Sequence, residues 1–247
     1  MINYHKIFSI CLGLLFLVVL QVFSTPQPIF RFLLPAFLGV LVATFFYNRW
    51  YLRQLDKYNF WIIIRPLLLE ASGFFIYLLL FDSFFRGVFL ITSVFLIAGF
   101  EIMLANFSEN LMLNETLVAA FGFCFAFFGF LWWAPSLSYL YFVGLFLSLL
   151  FLARCFYDFL PLDAGAKWMN SLVVGFLSVQ VFWAASFLPF HYSALAVLLL
   201  DFFYLALVLN YHNLFHTLTR QKAKFYFSLA IISLVVVFSA TPWTIID

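Results

Sequence analysis

The sequence predicts an all-α fold: a polytopic transmembrane bundle of about nine spanning helices arranged as successive hairpins. Three observations carry that reading. The first is composition: 67% of the residues are hydrophobic and 9% charged, against about 25% charged in a soluble domain. A soluble fold runs out of polar surface long before it hides so much apolar area, whereas lipid as solvent removes the difficulty. The second is length: the apolar stretches repeatedly reach the ~20 residues that a helix needs to cross a bilayer. The third is the placement of basic residues, which segregate into alternate connectors.

The segments run in order over residues 5–24, 29–47, 60–81, 87–105, 115–134, 136–157, 168–188, 192–211 and 225–240. His5 and Lys6 ahead of the first apolar run read as a signal-anchor retained as a helix. Pro26 and Pro28 end that segment, and Pro135, Pro189 and Pro242 mark later breaks, because proline cannot continue a helix. Residues 48–59 and 106–114 read as polar connectors. The chain from 1 to 247 is expected to form one integral membrane domain.

Lys6, Arg49, Arg53, Lys57, Arg154, Lys167, Arg220, Lys222 and Lys224 fall on one side of this map, and Arg31 and Arg86 on the other. Basic residues accumulate in cytoplasmic loops, so the N-terminus is expected in the cytoplasm and the C-terminus outside. The overall style suggests a bacterial cytoplasmic membrane.

Ionisable groups at membrane depth are costly and therefore informative. Arg65 and Glu101 lie at similar depth in the third and fourth segments, which predicts an ion pair. Arg154 and Asp158 form an i,i+4 pair at a helix end, and Asp82 and Arg86 are expected to do the same. Glu70 and Asp201 each sit about ten residues into a segment, near the midplane, with Gln180 at comparable depth. An unpaired ionised carboxylate is untenable there, so these three residues form a candidate midplane polar site that takes up a proton or a cation. Ala119, Gly122, Ala126 and Gly129 recur at helical spacing and form a stripe that admits a close backbone. Ser171, Gly175 and Ser178 do the same in the seventh segment.

Chemistry is otherwise sparse. His212 and His216 are four apart, a spacing that suits zinc on one helical face, but the HExxH glutamate is missing. Interfacial histidines beside the basic loop explain them better. The three cysteines make no CxxC, so neither a thiolate metal site nor a disulfide framework is expected. No serine-nucleophile, phosphate-loop or dinucleotide motif occurs, and no catalytic residue or cofactor is expected. The expected surroundings are the lipid bilayer and either a membrane-protein partner or further copies of the chain, with no nucleic acid. Three function classes follow: a transporter-like or channel-like unit with an acidic site, a structural or assembly subunit of a membrane complex, and, last, an intramembrane metal enzyme.

Overall fold

In a computed structural model of the protein, residues 2–23, 32–55, 59–80, 83–103 and 108–241 are described. Pro26, Pro28, Arg31, Lys57, Asp82 and Pro242, used above, lie outside them, as does the start of the 106–114 connector. The described residues are helical, with nine helices long and apolar enough to span a membrane. These are α1 (Ile2–Phe23), α2 (Leu33–Gln54), α3 (Phe60–Leu79), α4 (Ser83–Ile102), α5 (Glu109–Trp133), α6 (Ser138–Asp158), α7 (Ala164–Ala185), α8 (Tyr192–Leu214) and α9 (Arg220–Ala240). A 3-10 turn, Pro135–Leu137, joins α5 to α6.

The helices overrun the apolar segments wherever no breaker stops them. α2 continues through residues 48–54, because nothing there interrupts backbone hydrogen bonding. α5 starts at Glu109, where the Ser108 hydroxyl accepts from Leu111 N–H at 3.2 Å. Both stretches carry polar residues that apolarity alone assigns to connectors. Other starts carry ordinary side-chain caps: Asn59 accepts from Trp61 N–H, Asp163 from Ala166 N–H and Thr219 from Lys222 N–H.

The contacts divide the chain into two units, Met1–Ala119 and Ala120–Asp247, with the boundary inside α5. In the first unit α1 packs along α4 and also touches α2 and α3. Gly13 makes the α1–α4 approach possible: a Cβ there would lie 3.1 Å from the Val94 carbonyl oxygen and 3.6 Å from Ala98 Cβ. Phe16, Phe37 and Phe74 fill the middle of this unit, with Phe37 stacked on Phe74 at 4.1 Å and Phe16 edge-on to Phe37. Past that layer Tyr77 donates to the Leu20 carbonyl, and Arg86 donates to the Leu80 carbonyl while lying over the Tyr77 ring.

In the second unit α6 and α7 form the closest pair, followed by α7 with α8 and α8 with α9. Ser171, Gly175 and Ser178 are buried, and a Cβ on Gly175 would meet the Leu150 backbone at 3.4 Å, so this stripe is the α6 contact. The second half of α5 joins through rings: Phe128 with Phe182 at 4.4 Å and Phe125 with Tyr192 at 5.1 Å. Ala119, Gly122, Ala126 and Gly129 of α5 are all buried.

Polar groups fasten one end of the second unit. Asn210 donates to Tyr157 Oη and to Asn170 Oδ1, both at 2.9 Å, tying α8 to α6 and α7. Arg154 pairs with Asp158 at 2.9 Å, and Lys167 donates to the Asp158 carbonyl at 2.8 Å. Replacing Asn210 by alanine removes both interhelical bonds at once. Asn210→Ala is expected to cost about 1–2 kcal/mol, read as a lower thermal midpoint in mild detergent, with Tyr157→Phe costing less.

Candidate functional site

The polar residues of the first unit collect into one buried file. It begins at the end of the bundle where α1 starts, α2 ends, α3 starts, α4 ends and α5 starts. There His5 is buried, with its Nδ1 2.8 Å from Tyr47 Oη and its Nε2 2.9 Å from the Glu101 carbonyl oxygen. The Glu101 side chain, fully buried, accepts from Asn48 Nδ2 at 2.9 Å. One turn deeper on α2, Thr44 donates to Glu70 Oε1 at 2.9 Å. Asn48 and Thr44 are four residues apart, about 6 Å of rise, so a single face of α2 serves both carboxyl groups.

Arg65 lies five residues before Glu70 on α3 and is the largest fully buried side chain described. Its guanidinium pairs with Glu115 of α5, also buried. The ion pair expected between Arg65 and Glu101 is thus replaced by Arg65–Glu115. The reason is the early start of α5, which places Glu115 inside the helix, level with the start of α3, rather than at a membrane border. Glu101 stays within electrostatic reach of Arg65, Glu115 and Glu70.

The hydrogen-bond balance of the file is uneven. Glu70 Oε2, Glu101 Oε2, Asn48 Oδ1 and Glu115 Oε1 are buried acceptors that no donor reaches among the described residues, against the donor-capable Arg65 Nη1 and Thr116 Oγ1 that reach no acceptor. Three buried carboxyl groups share one guanidinium. With all of them ionised the set would carry a net negative charge in a medium that cannot solvate it. Beyond Glu70 the file stops at the Phe16–Phe37–Phe74 layer, since Phe74 is one turn further along α3.

The other sequence-derived candidates belong to the second unit. Asp201 is half-buried in the second unit, where it bonds Ser233 of α9, and Gln180 is exposed on α7. Glu70 and Asp201 each find a hydroxyl within their own unit. His212 and His216 are not presented on one helical face: α8 ends at Leu214, and His216 has a positive φ of 51°. The His212 ring is held between Thr217 Oγ1 and Tyr226 Oη, at 2.8 and 3.0 Å. Among the described residues no three His, Cys, Asp or Glu side chains converge as metal ligands.

His5, Thr44, Asn48 and Glu115 are the participants that sequence reasoning missed. His5 and Glu115 open their expected spans, Asn48 opens an expected connector, and Thr44 is an ordinary hydroxyl within a span. The faint signal was periodic: Thr44 and Asn48 stand at i,i+4 on α2, the spacing of one helical face. Comparisons with protein-family models, curated proteins and solved structures found no match to this chain.

Proposed function

We propose that the chain is a transporter-like membrane unit whose first half binds protons at Glu70 and Glu101. The observation that carries this reading is the surplus of buried acceptors. Protonating Glu70 and Glu101 turns two of the four unmatched acceptors, Glu70 Oε2, Glu101 Oε2, Asn48 Oδ1 and Glu115 Oε1, into O–H donors, and it removes charge the site cannot solvate. A metal ion fits less well, because the acids do not converge as a ligand set. Thr44 and Asn48 hold one oxygen of each acid and leave the other for the proton. Basic residues flank the end where the file opens, among them Lys6, Arg49 and Arg53. By the positive-inside rule that end faces the cytoplasm and the C-terminus lies outside. A bacterial cytoplasmic membrane, with its maintained proton gradient, suits such a unit.

The test is dissipation of a pH gradient by the protein in proteoliposomes, followed with an internal pH dye. Glu70→Gln with Glu101→Gln is expected to reduce the protein-dependent rate to that of empty vesicles, while Asp201→Asn leaves it unchanged. The infrared band of protonated carboxyl groups is expected to shrink in the same double variant. An unaltered rate and band in that variant would reject the proposal.

A second reading, a subunit of a membrane assembly, is favoured by α9. Ala230 is the one buried residue of that helix, and α9 packs chiefly along α8. A single cysteine at Val235 cross-linking to another chain in native membranes would support it. Cross-linking no stronger than from a cysteine at Trp183 would count against it.

A further inference from the structure

Helix α8 starts at an imidazole. Asn59, Ser108, Asp163 and Thr219 cap other helices with side-chain oxygens. At the start of α8 the cap is His191, whose Nδ1 accepts from Ser193 N–H at 3.4 Å and lies 2.8 Å from Ser193 Oγ. The His191 carbonyl accepts from Ala194 and Leu195 N–H, which leaves Ser193 N–H among the amides that a helix start cannot satisfy by itself.

A ring nitrogen caps a helix only while it carries a lone pair. In the neutral imidazole that caps α8 the proton sits on Nε2, and Nδ1 accepts. In the charged ring both nitrogens are donors. Nδ1–H then faces Ser193 N–H, and its charge stands at the positive end of the helix dipole. Protonation thus turns a cap into a repulsion. Amide, hydroxyl and carboxylate oxygens keep accepting throughout the range in which imidazole titrates.

The surroundings favour the neutral ring. Trp132 of α5 and Tyr192 of α8 lie beside it, with ring centroids at 6.1 and 4.1 Å. Tyr192 is a phenol, neutral throughout this range. Partial burial holds the His191 imidazole below its ordinary value, and no charged side chain among the described residues contributes. Because the folded state favours the neutral ring, the cap is complete above the ordinary imidazole value of ~6.5 and fades as the pH falls below it. The same turn carries tertiary contacts. Tyr192 meets Phe125 of α5 edge-on at 5.1 Å, and Phe190 stacks on Phe238 of α9 at 4.9 Å. Phe190 anchors the chain ahead of His191, so the part left to give is the first turn of α8.

We propose that His191 is an acid-released cap. Neutral, it holds the first turn of α8, with Tyr192 against Phe125. Protonated, it lets that turn open and the Tyr192–Phe125 contact loosen. In the orientation proposed above this turn faces outside, and the cap then answers to external pH. The release itself depends neither on that orientation nor on the proton site of the first unit.

Hydrogen exchange of the full chain in mild detergent tests this, with each rate divided by the intrinsic rate at its pH. Over residues 193–195 exchange is expected to rise about fivefold between pH 8 and pH 5, the worth of one helix cap. Residues 222–224, at the start capped by Thr219, are expected to show no such rise. His191→Asn caps with an amide oxygen that does not titrate, and it is expected to stay slow at both pH values. His191→Ala is expected to exchange fast at both, like the wild type in acid. Wild-type exchange that ignores pH would overturn the proposal. So would an acid response that survives in His191→Asn, or one shared equally by residues 222–224, which marks a general loosening. If His191→Ala does not fold, the asparagine variant decides the matter.

Discussion

Arg65→Ala is expected to lose about 3–5 kcal/mol, enough to lower severalfold the yield of folded protein in mild detergent. Arg65 is fully buried, and its ion pair with Glu115 sits within reach of the Glu101 carboxyl group. Removing the guanidinium leaves the acids of this end without their buried cation, and an uncompensated buried charge is far more costly than an absent pair. The double variant Arg65→Met with Glu115→Leu is therefore expected to recover most of the loss, because it removes both charges and replaces them with apolar bulk. Thermal midpoints and gel-filtration recovery of the wild type, the single and the double variant would settle the point. A single variant as stable as wild type, or a double variant no better than the single, would show that the pair is not what balances the cluster.

Gly13 is expected to give the second largest effect. Its α-carbon faces the Val94 carbonyl, with Ala98 beside it, at the closest crossing of the first unit. Alanine there requires α4 to give by a few tenths of an ångström, and leucine requires the two backbones to separate. The expected costs are about 1 kcal/mol for Gly13→Ala and about 3 kcal/mol for Gly13→Leu, the range for overpacking a filled interior. Gly39, which a Cβ would leave with open space around it, is the matched control. Gly39→Ala is expected to leave the stability within about 0.5 kcal/mol of wild type. If Gly13→Leu behaves like that control, α1 and α4 do not cross where the structure places them.

The fold was legible because span length and apolarity are strong, redundant signals: nine segments were expected, and nine helices of spanning length occur among the described residues. The helix ends were not legible by the same means. Hydropathy marks where lipid stops, whereas a helix stops where its hydrogen bonds are interrupted, and no breaker lies between Asn48 and Gln54 or between Glu109 and Glu115. That distinction explains the error at the site. Asn48 read as a loop residue, and Glu115 as a border residue, so neither was available to partner an acid or a base. Arg65 then pairs, on depth alone, with Glu101 of the adjacent segment. Glu70 was recognisable from depth alone, but its hydroxyl partner on α2 was not, because a threonine in a hydrophobic run has no distinguishing mark until the facing helix is known.

The phenylalanine layer of the first unit has an electrical consequence. Phe16, Phe37 and Phe74 offer no group that can carry a proton, whereas the His5 side of them holds hydrogen-bonding side chains. A charge brought from the polar end as far as Glu70, midway along α3, covers about half of the ~2.3 kcal/mol per 100 mV that a full crossing involves, and the rest falls on whatever passes the rings.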